Sequence, residues 1–239
     1  MNKRLRLVGV FLGVAGLGFG VAGAVAYMKV QDGYGSLQAF SEQQNVELNY
    51  NEDGQLVDRG ETEGADAIMS LLKDDWQYPV VQSDLDPNNP LVNTATEYMY
   101  QMATVAYHTL HGTQTVVLAE DVTTDSGEVF AAGEYEFAVD GRYWTDFDRS
   151  NPIEAAAREQ AWTGTAHGLI AELGVGTVTH STLQMGLALA GLFAALGLVL
   201  MGTGGGLVWA SRSKIIVPDT IPESFVTERI ETAQTLDRV

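Results

Sequence analysis

The chain has 239 residues and a formal net charge of −18, with 13 Lys and Arg against 31 Asp and Glu, and it contains no Cys. The lack of Cys excludes disulfides, thiolate zinc sites, iron–sulfur clusters and cysteine nucleophiles. The acid excess argues against a nucleic-acid-binding protein, because Lys and Arg are needed to neutralise a phosphate backbone. The 46% hydrophobic content is concentrated in two stretches, which define the expected topology.

Two uncharged stretches are long enough to cross a bilayer. The first runs from Leu7 to Met28, and at about 1.5 Å per residue it matches a hydrocarbon core of about 30 Å. The second covers residues 173–211, and its most apolar part is 185–210. The predicted order is a basic start (1–6), a transmembrane helix (7–28), a domain (29–184), a second transmembrane helix (185–210) and a tail (211–239).

The charges that flank these stretches predict their orientation. Lys3, Arg4 and Arg6 precede the first stretch, and Arg212 and Lys214 follow the second. Positively charged flanks stay in the cytoplasm, so both termini are expected there, in a multi-pass protein of the cytoplasmic membrane. Residues 29–184 hold 6 Lys and Arg against 26 Asp and Glu, so the predicted outer domain carries a net charge of −20.

The first stretch has a second interpretation, as a cleaved signal peptide covering residues 1–26. Ala24 and Ala26 form the small-residue pattern of a cleavage site. The apolar run is longer than the 7–15 residues typical of a signal peptide, which favours a retained helix.

Both stretches contain glycines four residues apart. These pairs are Gly9 with Gly13, Gly16 with Gly20, and Gly202 with Gly206. This spacing lets helix backbones approach closely in lipid. The glycines therefore predict helix packing, whether with the other span, a second copy of the chain or another membrane protein.

The first half of the predicted outer domain is helical. Apolar residues from Ala65 to Trp76 recur at helical spacing, and so do those from Leu91 to His111, where Gly112 is the expected cap. Residues 79–90 contain three prolines and predict a loop.

The second half combines a hairpin with one more helix. Residues 115–119 and 134–139 have the pattern of strands. Turns that contain glycine are expected at Asp125–Gly127, between these strands, and at Asp140–Gly141, after the second strand. Asn151-Pro152 predicts a capped helix start, with the helix continuing to Leu173. The expected fold is a membrane protein with two transmembrane helices flanking one extracytoplasmic, mainly helical α+β domain with a β-hairpin.

The chain offers few candidates for chemistry. His108 and His111, one turn apart on a predicted helix, are weak metal-ligand candidates, because no third ligand is apparent. Asp84-x-Asp86-x-Asn88 begins like a calcium loop but lacks its glycine and its final glutamate. The sequence predicts no catalytic residue and no cofactor.

Three segments resemble a group of bacterial, mostly actinobacterial, two-span membrane proteins of unknown activity. They are NKRLRLVGV at the start, ADAIMSLL in the domain and THSTLQMGLALAGLF before the second span. Proteins of this group often carry an automatic label as aromatic ring-opening dioxygenases. The resemblance implies the two-span topology, and no catalytic residue follows from it.

The expected function is non-enzymatic. The chain fits a membrane-anchored accessory or assembly subunit whose acidic domain docks on a larger membrane complex, for example a respiratory one whose basic electron carrier a negative surface would attract. Its expected partners are the lipid bilayer and a membrane protein or a second copy, with no nucleic acid. Two alternatives remain: a transmembrane sensor or ligand-binding module, and a metal-dependent enzyme using His108 and His111.

Overall fold

The computed structural model describes residues 2–212. Within this range the chain forms five α-helices and four short strands: α1 (Asn2–Gln44), α2 (Thr62–Ser70), α3 (Ala95–Leu110), β1 (Thr113–Leu118), β2 (Val122–Thr123), β3 (Val129–Phe130), β4 (Gly133–Ala138), α4 (Pro152–Ala161) and α5 (Gly164–Arg212). Two compact units result. One consists of the described residues of 1–22 and 192–239, and the other of residues 23–191.

The two terminal helices are long and apolar enough to span a membrane, by length and composition. Only 17% of the most apolar window of α1 and 11% of that of α5 is buried. A core helix of a soluble protein would be mostly covered, so these helices do not have that role here. Both run well beyond the predicted spans: α1 extends to Gln44 and α5 begins at Gly164.

A mainly helical domain with a short hairpin lies between these helices, as expected. α1 ends where Asn45 adopts a left-handed conformation (φ 50°) and donates its backbone N–H to Ser41 O, at 2.8 Å. Such a residue commonly terminates a helix. The predicted helix 65–76 is α2 followed by a single π-helical turn, Leu71–Asp75.

The helix predicted over 91–111 starts four residues later, at Ala95. Residues 90–92 instead pair with 46–48 through the backbone bonds Leu48 N to Pro90 O and Val92 N to Val46 O. Thr94 then caps α3 with a reciprocal capping box to Glu97. The expected cap at Gly112 was wrong by one residue, because His111 is the C-cap.

The predicted hairpin is confirmed. β1 pairs antiparallel with β4 over six residues, and β2 pairs with β3 in the loop between them. The turns at Gly127 (φ 85°) and at Asp140-Gly141 (φ 51° and 76°) use the left-handed conformations that tight turns require.

The Asn151-Pro152 helix start is also confirmed, since Asn151 Oδ1 accepts the N–H groups of Ile153 and Glu154. The helix does not continue to Leu173. It stops at Trp162, whose Nε1 donates to Arg142 O at 3.1 Å, and α5 starts at Gly164.

The core of the 23–191 unit forms where α2, α3, α4 and the hairpin meet. Its most enclosed side chains include Ile68, Leu72, Val116 and Val139, all at most 1% exposed. The segments of α1 and α5 within this unit also pack on each other, and a Cβ at Gly176 of α5 would lie only 2.6 Å from the ring of Tyr98 in α3.

Candidate functional site

In the unit that contains residues 2–22 and 192–212, the two helices touch through glycines. A Cβ on Gly9 would lie 2.7 Å from Gly204 O, and a Cβ on Gly16 would lie 2.7 Å from both Gly197 O and Met201 N. No real Cβ approaches backbone so closely. The backbones are therefore in direct contact, as small residues allow.

Two glycines of α5, Gly197 and Gly204, each lie between the two glycines of one α1 pair. A Cβ on Gly204 would meet Gly9 O and Gly13 N, and a Cβ on Gly197 would meet Gly16 O and Gly20 N. The structure therefore places all four α1 candidates at this contact. Their roles differ, because a Cβ on Gly13 itself would meet nothing within 4 Å, so a larger residue there has room.

The predicted pair Gly202 and Gly206 is not part of this contact. A Cβ on either would meet nothing within 4 Å. Gly197 and Gly204 form the α5 side of the contact instead, because α5 touches α1 at positions seven residues apart rather than four. Seven residues make about two helical turns and return to the same face.

The two candidate histidines do not converge. His108 Nε2 lies 2.9 Å from Asp58 Oδ1, whose side chain is only 14% exposed, and His111 Nδ1 lies 2.9 Å from Tyr107 O within the same helix. Among residues 2–212, no three His, Asp or Glu side chains are arranged to hold a metal ion. His108 thus connects α3 to the segment before α2.

The calcium-like segment forms a local turn. Asp86 Oδ1 accepts both the backbone N–H and the side-chain amide of Asn88, each at 2.9 Å. These bonds lower the pKa of the exposed Asp86 carboxyl, because they favour its charged form.

A cluster that the sequence did not predict lies in the domain core. Glu97, at 0% exposure, uses Oε2 to accept the N–H groups of Asn93 and Thr94, at 3.0 and 2.8 Å. Its Oε1 has no hydrogen-bond partner among the residues described, nor do the buried hydroxyls of Tyr50 and Tyr100. Burial raises the pKa of Glu97 despite these two bonds.

A polar cavity of about 330 Å³, open to solvent, lies next to Tyr50 of this cluster. Tyr50 belongs to both the cluster and the cavity lining. The other lining residues are Gly54, Gln55, Leu56, Thr62, Ala65, Asp66, Met69, Gln82 and Leu85. The volume is at the lower end of the range of small-molecule pockets.

Negative charge is concentrated on the hairpin. We call residues 120–136 the acidic arm, since they contain six acidic residues and neither Lys nor Arg. All six are exposed: Glu120, Asp121, Asp125, Glu128, Glu134 and Glu136. Apart from Asp121, which accepts the N–H of Ala132, and Glu136, which accepts the hydroxyl of Thr115, they form no side-chain hydrogen bond or ion pair within residues 2–212.

The chain was compared with protein-family models, with curated proteins and with solved structures, and none of the three comparisons gave a match. The expected likeness to two-span bacterial proteins therefore stays a prediction.

Proposed function

We propose that this protein is a non-enzymatic, two-span membrane subunit whose acidic outer domain docks on a larger membrane complex. The observation that carries the proposal is the combination of two apolar, largely uncovered helices with an acidic arm whose charges take little part in holding the fold.

Both helices have surfaces suited to lipid or to partner helices. Large apolar side chains are exposed along them, such as Leu7 and Phe11, each 70% exposed, and Leu198, 68% exposed. In water such surfaces drive association, whereas in a bilayer they are solvated. The positive charges of Lys3, Arg4 and Arg6 at one end of α1 support a cytoplasmic location for that end.

The contact between α1 and α5 supports retention of the first helix. Gly9 of α1 lies against Gly204 of α5, and Gly16 lies against Gly197. A signal peptide that is removed from the mature protein does not need glycines that fit those of another helix. With α1 retained, the domain is tied to the membrane at both of its ends.

The acidic arm is the proposed docking element. Its carboxylates face solvent and mostly lack partners among the described residues, which leaves them available to a basic surface on another protein. Charge complementarity of this kind raises association rates and selects partners. A respiratory complex that works with a basic electron carrier is one host with the required chemistry.

Isolation of the tagged full-length protein from its native membranes in mild detergent tests the proposal. A stable membrane partner should co-purify, and its recovery should fall with added salt, since salt screens exposed charges. A triple variant of the arm, D125N/E128Q/E134Q, should lose the partner. The matched control E52Q/D53N/E63Q removes the same charge from exposed acids outside the arm and should keep it.

Two results would contradict this function. A wild-type protein that elutes alone under all mild conditions would favour the sensor alternative. Equal loss of the partner in both triple variants would mean that net charge matters and the arm does not.

A further inference from the structure

The hairpin of β1 and β4 leaves the outer edge of each strand unpaired. In the part of the chain that the structure describes, the sheet contains these two strands alone, and they pair without a bulge over six residues. An unpaired edge is a row of backbone N–H and C=O groups that can bond to another extended chain. The edge of β4 is the more open one, because α4 packs mainly against β1 and because no residue of β4 is fully buried, whereas Val116 of β1 is 1% exposed.

The hydrogen bonds at the base of the hairpin show which backbone groups of β4 point outward. Val139 donates its N–H to Gly112 O at 3.0 Å. In an antiparallel ladder, hydrogen-bonded and non-hydrogen-bonded residue pairs alternate. Ala138, Glu136 and Glu134 lie an odd number of positions before this bonded pair, so they occupy the non-hydrogen-bonded pairs with β1. Their N–H and C=O groups therefore point toward the free edge.

The two faces of β4 differ in chemistry, because successive side chains of a strand point to opposite faces. Glu134 and Glu136, both part of the acidic arm, are exposed on one face. Tyr135 and Phe137 are half-buried on the other face, where they pack against the domain core. A segment laid along this edge would meet two carboxylates on its solvent side and two aromatic rings on its other side. The segment that matches β4 therefore alternates basic and apolar residues.

A second copy of the chain does not match this edge. Two antiparallel β4 strands would bring Glu134 and Glu136 of one copy beside the same carboxylates of the other, and like charges in opposing positions destabilise a sheet. Edges that are closed to all partners commonly contain a proline, a bulge or a lysine, and β4 has none of these. Its two glutamates instead make the edge selective, since they repel an acidic strand and attract a basic one.

We propose that the free edge of β4 binds an extended segment of the partner protein as an added antiparallel strand, with Lys or Arg side chains opposite Glu134 and Glu136. Apolar residues that alternate with these basic residues pack beside Tyr135 and Phe137. In this mode of recognition, backbone hydrogen bonds provide affinity and alternate side chains provide specificity. The inference rests on the proposed docking function, and it specifies the conformation and the charge of the partner segment.

NMR titration of isotope-labelled full-length protein in detergent tests the proposal with a six-residue peptide of alternating valine and lysine. The amide signals of Glu134, Glu136 and Ala138 should shift most, because their N–H groups gain hydrogen bonds. A peptide of alternating valine and glutamate should bind at least about tenfold more weakly, since two favourable cross-strand charge pairs become unfavourable. The lysine peptide with N-methylated lysines keeps its charge but lacks the N–H groups that face β4, and it should also bind at least about tenfold more weakly, because several backbone hydrogen bonds are lost.

Proline variants separate the two edges of the hairpin. A138P removes one outward N–H of β4, keeps the charge and is tolerable on an edge, so it should weaken binding of the lysine peptide by about threefold or more. T113P is the matched control, because Thr113 pairs with Ala138 and its own N–H points to the opposite edge. T113P should bind like wild type. If either proline unfolds the domain, E134K/E136K carries the test, since it should reverse the order of affinity for the lysine and glutamate peptides.

Three results of the titrations would overturn the proposal. Failure of the lysine peptide to bind wild type means that the glutamates only keep other strands away. Equal affinity for this peptide and its N-methylated form means that the domain attracts positive charge without strand pairing. Equal weakening by A138P and T113P means that the edge of β4 is not the site.

Co-purification from native membranes distinguishes failure of this proposal from failure of the docking function. A138P should lose the partner that wild type and T113P retain. A partner that A138P retains as well as wild type does contradicts strand addition and leaves the docking function intact. A wild type without any partner contradicts the docking function, and the peptide titrations then decide whether β4 accepts a basic strand.

Discussion

Replacement of Gly16 by Ala tests the glycine contact between the two long helices. The added Cβ would lie 2.7 Å from Gly197 O and from Met201 N, both backbone atoms that cannot rotate away. Ordinary contact needs about 3.5–4.0 Å, so the helices would have to separate by about 1 Å at this point. Overpacking of this kind costs about 1–3 kcal/mol, which corresponds to about a 5- to 150-fold change in the equilibrium between paired and separated helices.

Reversible unfolding in mixed detergent micelles measures this loss directly. G18A is the matched control, since a Cβ on Gly18 meets nothing within 4 Å. A second readout uses F19C/F193C, whose parent rings lie 6.0 Å apart in a chain without other thiols. A bifunctional thiol reagent should join this pair efficiently, and less efficiently when G16A is added. If G16A and G18A unfold alike and cross-link alike, the helices do not pack through these glycines.

Three further predictions concern the domain, each measured by chemical or thermal unfolding. H108A should lower the free energy of unfolding by about 1–2 kcal/mol, because it leaves the mostly buried Asp58 without its bond, whereas H111A should change it by less than about 0.5 kcal/mol. N151A should lower the free energy of unfolding by about 1 kcal/mol, because it removes the side-chain cap of α4. Burial raises the pKa of Glu97 in the folded protein above its value in the unfolded chain. The contribution of the protonated Glu97 side chain to stability is therefore fully present below the unfolded-state pKa, and it is lost as pH rises through the folded-state pKa. E97Q should therefore reduce the loss of stability above about pH 4.5, and an unchanged pH profile would contradict this reasoning.

The sequence predicted correctly those elements that are specified by residues within the element itself. Asn151 followed by Pro152 specifies a helix start through its own side chain and ring, and the glycine turns specify the hairpin in the same way. The true start of α3 could not be predicted so easily. Residues 90–92 leave the helix because they pair with 46–48, a contact more than forty residues away in the chain.

The candidate sites also divide into features that local spacing predicts and features that depend on residues distant in the chain. Glycine spacing indicated a close helix contact, but a four-residue rule applied to one helix missed Gly197 and Gly204, which a seven-residue rule would have found. The spacing of His108 and His111 places them on one helix face, yet they do not share a ligand. A ring nitrogen of His108 hydrogen-bonds to Asp58, and a ring nitrogen of His111 hydrogen-bonds to the backbone carbonyl of Tyr107.

The buried cluster of Glu97, Tyr50 and Tyr100 had no signal in the sequence. Tyr50 and Glu97 are distant in the chain, and a glutamate at the third position of a helix is ordinarily explained as part of a capping box. Only the fold reveals that one of the Glu97 carboxylate oxygens accepts the cap hydrogen bonds while the other is buried without a partner among residues 2–212.

The central claim is that both long helices cross the membrane and leave the acidic domain outside. Since the chain has no Cys, single cysteines can report sidedness without background. N88C places a thiol at an exposed position of the domain, and T235C places one in the tail. A membrane-impermeant maleimide applied to intact cells should label N88C, and it should label T235C only after the membrane is opened. Labelling of T235C in intact cells, or recovery of the protein in the soluble fraction, would contradict the account.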